Sequence, residues 1–156
     1  MDPYVAPWQV TDTTWRQAFR ESNPELVNDE HPDCPGCNPW QFNVRPLFAD
    51  ERFSLVAGCK QVDTTPDSSE VYAIIPGLFV FVPRAHTIDL AGLAPYMSLL
   101  PEAAEILHLE APYSLTFNYG IVAGQTLAHE HFWFVNRRVL SAYPGHSLAT
   151  LLIGAV

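Results

Sequence analysis

Residues 117–135 read FNYGIVAGQTLAHEHFWFV. The segment begins as a polar, glycine-containing loop and ends in a run of aromatic and β-branched residues that is typical of a strand. Because side chains alternate across a strand, His129, His131 and Trp133 are expected on one face, and Phe132 and Phe134 on the other. The pattern therefore predicts two imidazoles side by side near the start of a strand.

The loop before the two histidines carries groups that suit a phosphate ligand. Gly120 and Gly124 allow backbone conformations that expose N–H groups. Asn118, Gln125 and Thr126 add uncharged polar groups of the kind that hold phosphate oxygens. The loop therefore predicts an anion-binding site beside the histidines.

Seven positions of this segment match, in order and spacing, a known hallmark: Asn-x-Gly, a short loop, Gly-Gln-Ser/Thr, two residues and His-x-His-x-His. The matching residues are Asn118, Gly120, Gly124, Gln125, Thr126, His129 and His131. Trp133 stands where the hallmark has its third histidine. The chain thus resembles the histidine-triad (HIT) superfamily, over residues 34–138 and most strongly over 118–135. The resemblance implies a HIT-like fold. It also implies a homodimer, because proteins of this superfamily are commonly dimers.

Length and composition bound the class of protein. A chain of 156 residues, with 48% apolar and 16% charged residues, is typical of one globular domain spanning residues 1–156. The net charge of −9 argues against broad contact with nucleic acid or an anionic membrane. We see no signal peptide or membrane span in the sequence, and the 3 cysteines are an odd number, so we expect a cytoplasmic protein with reduced thiols.

Hydrophobic periodicity predicts the order of helices and strands. A helix is expected over residues 15–21, followed by a polar, proline-rich loop over residues 28–39. Strands are predicted at residues 52–58, 71–75, 78–82, 114–118 and 130–135, and a helical stretch at 89–109. The second and third of these are either two strands or one strand interrupted at Pro76 and Gly77. Strands on both sides of a central helical stretch indicate an α+β fold with a mainly antiparallel sheet.

A Cys-x-x-Cys pair, Cys34 and Cys37, lies in the proline-rich loop near the N-terminus. This spacing lets two thiolates reach one metal ion, but two reduced loop thiols give the same pattern. In zinc-containing HIT proteins, such a pair is joined by a histidine of a Pro-x-x-His strand end and by the first triad histidine. The corresponding residues here are His86 and His129. The resemblance therefore implies a closed, structural zinc site.

The resemblance also implies a role for His131, which takes the position of the family's nucleophile. Its imidazole would attack the α-phosphate of a nucleotide, or of a nucleotide-derived small molecule, to form a nucleotidyl-histidine intermediate. Water or another acceptor would then resolve the intermediate. Asn118, Gly124, Gln125 and Thr126 would hold the phosphate. The implied activity is that of a nucleotide hydrolase or nucleotidyltransferase.

Several departures from the family pattern favour a second hypothesis. An indole cannot shuttle a proton, so Trp133 favours phosphate or pyrophosphate leaving groups, or lost activity. Leu78 replaces a histidine that often contacts phosphate, and residues 72–76 contain no acidic residue for the ribose hydroxyls. The alternative is a catalytically silent, zinc-stabilised domain that binds a nucleotide or a protein.

Glu130, between the two histidines, occupies a position that is usually apolar in the resembling family. A charge is expected there only if it is solvated or paired. The sequence therefore predicts that Glu130 faces solvent or pairs with Arg137 or Arg138.

Overall fold

The computed structural model describes residues 15–22, 34–41, 45–64, 70–110, 113–119 and 129–136. Five strands form one antiparallel sheet in the order β1-β2-β3-β5-β4. The strands are β1 (Phe48–Ala49), β2 (Phe53–Thr64), β3 (Glu70–Pro83), β4 (Tyr113–Thr116) and β5 (Phe132–Asn136). The helices are α1 (Trp15–Ser22), α2 (Leu90–Leu93) and α3 (Leu100–Ile106), with a 3₁₀ segment, Ala94–Leu99, between the last two. The predicted α+β class, with a central helical segment, is confirmed.

The two candidate strands at residues 71–75 and 78–82 are one strand, β3. Its backbone passes through Gly77 at a φ of 79°, a conformation that glycine adopts without strain. The register of β2 against β3 shifts near the same level, between Ala57 and Cys59. Gly58 lies in this bulge, and a Cβ there would come within 2.6 Å of the Leu78 side chain. Small residues on both strands therefore let the hairpin continue through the irregularity.

One face of the sheet packs against the helical segment and forms the core. Alternation puts Phe53, Phe81 and Phe134 on this face, and each is almost fully buried. The rings of Phe53 and Phe81 stack with centroids 4.7 Å apart. The rest of the cluster consists of Leu55, Leu93, Leu100, Ala103, Ala104 and Phe132. Because apolar side chains fill this face, the residues that alternate with them lie on the opposite face. Thr116 of β4 and Trp133 of β5 are one such pair.

The helix α1 reaches the beginning of the central helical segment. Asp89 is the N-cap of α2, and its carboxylate accepts a hydrogen bond of 2.8 Å from the backbone N–H of Gly92. The same carboxylate forms an ion pair with Arg20 of α1. This pair joins two elements that are far apart in the sequence.

Within the described residues, no helix has the length and apolar character that a membrane span requires.

Candidate functional site

The four residues predicted as metal ligands come together in one buried cluster. Cys34 and Cys37 lie in a turn, His86 follows β3, and His129 precedes β5. One ligand atom from each of the four lies within 4.8 Å of the others. Nδ1 of His129 is 3.5 Å from Sγ of Cys34 and 3.7 Å from Sγ of Cys37, and Nδ1 of His86 is 3.5 Å from Sγ of Cys37.

These separations fit a tetrahedral zinc ion. Bonds of about 2.3 Å to sulfur and about 2.0 Å to nitrogen, at tetrahedral angles, place a sulfur and a nitrogen ligand about 3.5 Å apart. The sulfur-to-nitrogen distances of 3.5, 3.5 and 3.7 Å agree with this value. A complete Cys2His2 set leaves no position for water, so the cluster fits a structural rather than a catalytic zinc.

The tautomer of His129 also fits a metal. Its Nε2 lies 2.8 Å from the carbonyl oxygen of Pro83, which can only accept, so Nε2 carries the proton. The Nδ1 lone pair therefore points at the two sulfurs. This is the arrangement in which a backbone carbonyl fixes the ligating nitrogen of a metal-bound histidine.

The protonation of the cluster favours metal binding in the same way. A hydrogen bond from Cys37 outweighs the effect of burial and lowers the pKa of the Cys34 thiol to about 2. Burial lowers the pKa of His129, so its imidazole stays neutral. A thiolate and a neutral imidazole are the forms that bind zinc. The donor set, spacing and burial thus fit zinc, as predicted.

Local packing brings the Cys-x-x-Cys turn onto the end of the sheet. The turn is closed by a hydrogen bond of 2.8 Å from Asn38 N to the carbonyl of Cys34. Arg84, just after β3, donates from Nε to the carbonyl of Cys37 at 2.8 Å. Gly36 is required because a Cβ there would lie 2.3 Å from the ring of His129. The turn and the histidine ring therefore pack too closely for any side chain at this position.

Within the described residues, His131, two residues beyond the last metal-site residue, forms a hydrogen bond with the backbone. Its Nδ1 lies 2.9 Å from the carbonyl oxygen of His129 and donates to it. The proton is thereby fixed on Nδ1, and Nε2 carries the lone pair. Burial lowers the pKa of His131 and keeps the ring neutral near pH 7. A neutral imidazole with an oriented Nε2 lone pair can act as a nucleophile.

The register of β4 against β5 sets what lies beside His131. Thr116 is directly opposite Trp133, and the rings of Phe117 and Phe132, the next pair, are in contact with centroids 5.9 Å apart. Continuing this register by one more residue puts Asn118 opposite His131. The predicted phosphate-binding residues Gly124, Gln125 and Thr126 lie outside the described residues. Of the predicted phosphate group, the structure therefore locates Asn118 alone.

Trp133 lies next to His131 on the same face. The two ring centroids are 5.8 Å apart, in an edge-to-face arrangement. Among the described residues, Nε1 of Trp133 is buried and has no hydrogen-bond partner. Thr116, which lies opposite Trp133, was not among the residues singled out from the sequence. Its hydroxyl belongs to the same face as His131, and a strand period of two could have identified it.

Glu130 does not face solvent, contrary to one of the two sequence-based expectations. Its side chain is fully buried, and its Oε1 is 2.5 Å from a guanidinium nitrogen of Arg16. Arg137 and Arg138, the partners suggested by the sequence, lie outside the described residues. No local pattern indicates the pair with Arg16, because the two residues are 114 positions apart in the chain.

The described residues thus define an α+β protein in which a closed Cys2His2 cluster adjoins an oriented histidine. No protein-family model and no curated protein matches this chain. It is similar to the solved structure of a HIT family hydrolase from Legionella pneumophila, with 18% identity and a TM-score of 0.48 over 72% of this chain and 100% of that chain. It is also similar to a HIT family hydrolase from Clostridium thermocellum, with 19% identity and a TM-score of 0.48 over 76% and 98%.

A third similar structure is a zinc-bound histidine triad family protein from Mycobacterium smegmatis, with 24% identity and a TM-score of 0.43 over 70% of this chain and 78% of that chain.

Proposed function

We propose that this protein is a HIT-type nucleotide hydrolase or nucleotidyltransferase that acts at an α-phosphate through His131. The observation that carries the proposal is the hydrogen bond from Nδ1 of His131 to the carbonyl of His129, a residue of the metal cluster. This bond leaves the Nε2 lone pair for attack on phosphorus. A structural metal that holds His129 would also hold the acceptor that orients the nucleophile.

The reaction proceeds in two displacements. Nε2 of His131 forms a bond to the α-phosphorus as the bond to the leaving group breaks, which gives a nucleotidyl-histidine. Because Nδ1 keeps its proton, the imidazole ring of this intermediate is positively charged. Water or an acceptor hydroxyl then attacks phosphorus, the bond from phosphorus to Nε2 breaks, the proton of the attacking group leaves to solvent, and the neutral imidazole is restored. Asn118 supplies an amide donor to the phosphoryl oxygens as their charge redistributes. Zinc, when bound, supplies a structural cross-link between the ligand-bearing segments.

Trp133 decides which leaving groups the proposed site accepts. Its indole N–H can donate a hydrogen bond but cannot deliver a proton to a departing amine or alkoxide. Phosphate and pyrophosphate depart without such a proton. The buried Nε1, which lacks a partner among the described residues, supports a role as a donor to phosphate oxygen. We therefore infer that nucleoside polyphosphates or nucleotide sugars are better substrates than phosphoramidates.

The experiment uses a panel of dinucleoside polyphosphates, nucleotide sugars and nucleoside phosphoramidates. We expect the wild type to release nucleoside monophosphate, and the His131→Asn variant to lose at least about 10³-fold in rate. Intact mass measured at early times should detect a nucleotidyl adduct on wild type alone. His108→Asn, at an exposed turn with a positive φ, is the matched control and should keep full activity. Equal turnover by His131→Asn would contradict the proposal.

Trp133 and Leu78 both depart from the family pattern and favour a second candidate function. Leu78 pairs with Val135 of β5, so it lies in the central part of the sheet. In this case the protein is a catalytically silent, metal-stabilised domain that binds a nucleotide or a protein. Binding of panel members without any product or adduct, in wild type and His131→Asn alike, would select this alternative.

A further inference from the structure

Arg16 of α1 contacts three segments that surround the proposed nucleophile. A guanidinium nitrogen lies 2.5 Å from the carboxylate of Glu130, and Nε donates to the carbonyl of Ile88 at 2.8 Å. The guanidinium carbon also lies 3.6 Å from the ring centroid of Tyr119. A planar guanidinium can make these contacts at once because it donates from its edge and stacks through its face.

Two of these contacts lie at strand ends that carry the proposed site. Glu130 is the residue between His129 and His131, just before β5. Tyr119 follows Asn118, just after β4. Since β4 and β5 are neighbouring antiparallel strands, their adjoining ends carry the nucleophile and the phosphate-binding amide. One side chain from a distant helix thus contacts both ends.

The charge on Glu130 makes this contact more than a packing interaction. The Glu130 side chain is fully buried, whereas the Arg16 side chain keeps 15% of its surface exposed. A buried carboxylate is strongly unfavourable without a cation beside it. Removing Arg16 would take this cation away from the buried carboxylate and so favour a rearrangement of the chain around residue 130.

The backbone links such a rearrangement to His131. Glu130 N donates to the carbonyl of Thr87 at 2.7 Å, and Thr87 Oγ1 donates to the carbonyl of Glu130 at 3.3 Å. The carbonyl of His129, which is joined to Glu130 N in one peptide unit, accepts the hydrogen bond from His131. Rotation of this peptide would therefore remove both the bond to Thr87 and the acceptor that orients His131.

We propose that Arg16 is a positioning residue: by pairing with Glu130 and stacking on Tyr119, it holds the ends of β5 and β4 so that the Nδ1–H of His131 stays on the His129 carbonyl. The consequence for catalysis rests on the proposed function of His131, and the assignment goes beyond it by making α1 part of the site.

The test measures the imidazole of His131 directly, by ¹⁵N-resolved NMR of the histidine rings, with the resonance assigned by its loss in His131→Asn. Arg16→Met removes the cation, and Arg16→Met/Glu130→Gln removes both charges. Arg20→Met is the matched control. Arg20 lies one turn further along the same helix and pairs with Asp89, whose carboxylate is partly exposed. Circular dichroism and zinc content monitor folding in every variant.

We expect Arg16→Met to lose the hydrogen-bonded Nδ1–H signal of His131, while Arg16→Lys, the double variant and Arg20→Met keep it. An Nδ1–H signal retained in Arg16→Met would overturn the proposal. Loss of the signal in the double variant as well would also overturn it, because the charge on Glu130 would then not be the cause. If Arg16→Met fails to fold, the double variant and Arg16→Lys still test the proposal. Both are expected to fold and to show the Nδ1–H signal of His131, and loss of this signal in either variant would contradict the proposal.

A kinetic readout separates this inference from the proposed function. With a panel substrate that wild type turns over, Arg16→Met should lower kcat at least tenfold and change KM less, because the nucleophile is misoriented while the ligand contacts remain. Arg20→Met should leave both parameters unchanged. If wild type turns over no substrate, the proposed function fails, and the NMR comparison still tests the positioning role.

Discussion

Single residues at this site are constrained by close contacts that cannot be inferred from the residue type alone. Only glycine fits at the position of Gly36, because the ring of His129 occupies the space where a Cβ would lie. Trp133 lies on the face that carries His131 and buries its indole N–H without a partner among the described residues. Asn118 falls opposite His131 when the register of β4 against β5 is continued beyond the last pair, Thr116 and Trp133. At this scale, close approach decides which residue types fit.

The Gly36→Ala substitution tests the close approach at the metal cluster. The added Cβ would meet His129 ring atoms at 2.3 Å, so the turn or the ring must shift. We expect a loss of about 1–3 kcal/mol in the free energy of unfolding, as for overpacked cores, together with weaker zinc retention. Thermal unfolding and zinc content measure the two effects.

Gly92→Ala is the matched control. The nearest atom to a Cβ at Gly92 is an Asp89 oxygen at 3.4 Å, and alanine favours the helix. This variant should match or exceed the stability of wild type. Equal stability of Gly36→Ala and wild type would show that the turn can move away from His129 without cost.

At the scale of elements, short helices depend on their end contacts. The helix α2 has only four residues, and its N-cap Asp89 also pairs with Arg20 of α1. The hydrogen bond from Gly92, and then the pair with Arg20, lowers the pKa of Asp89 below its ordinary value. The ionised carboxylate therefore stabilises both the helix start and the docking of α1.

The lowered pKa of Asp89 predicts a pH-dependent contribution to stability. A carboxyl whose folded pKa is lowered stabilises the protein above its ordinary pKa, near ~3.9, and the contribution is lost as the pH falls through the folded value. Asp89→Asn keeps an oxygen acceptor for Gly92 but carries no charge. We expect this variant to be about 0.5–1 kcal/mol less stable than wild type at pH 7, with the difference decreasing as the pH falls below the ordinary pKa of the carboxyl group.

Urea unfolding of wild type and Asp89→Asn, measured side by side from pH 7 to pH 3, checks this prediction. Glu105→Gln, which neutralises an exposed carboxylate of α3, is the control for the loss of a surface charge. A stability gap for Asp89→Asn that is the same at both ends of the range would contradict it.

At the scale of the molecule, the metal cluster joins three segments that are otherwise far apart in the sequence. The Cys-x-x-Cys turn, the end of β3 and the segment before β5 each supply ligands. The last of these also carries the carbonyl that orients His131. One ion would therefore connect the N-terminal turn, the sheet and the proposed nucleophile.

Removing the metal should affect stability and the site together. We expect one zinc per chain by elemental analysis, a Tm lowered by a chelator and by Cys37→Ser, and recovery of the chelated protein on adding zinc. Cys59→Ser is the control, because Cys59 lies in β2 and is not part of the cluster. A protein that contains no zinc and keeps its Tm in chelator would contradict a structural metal.

The sequence by itself determined the α+β class, four of the five strands, the helical segments and the Cys-x-x-Cys pair, but it did not predict the short strand β1. It could do so because periodicity is local and because Cys-x-x-Cys is read directly from spacing. The family resemblance supplied the other two metal-site residues, His86 and His129, and the role expected of His131. None of these steps required knowledge of long-range packing.

Tertiary structure alone decided the environment of the reactive residues. The continuity of β3 through Gly77, the tautomers of His129 and His131, and the burial of Glu130 against Arg16 depend on partners that are distant in sequence. A carboxylate between two histidines could be solvated or paired by any arginine of the chain. The choice is made only when folding brings a helix from residues 15–22 onto the ends of β4 and β5, where the cost of burying the charge selects its partner.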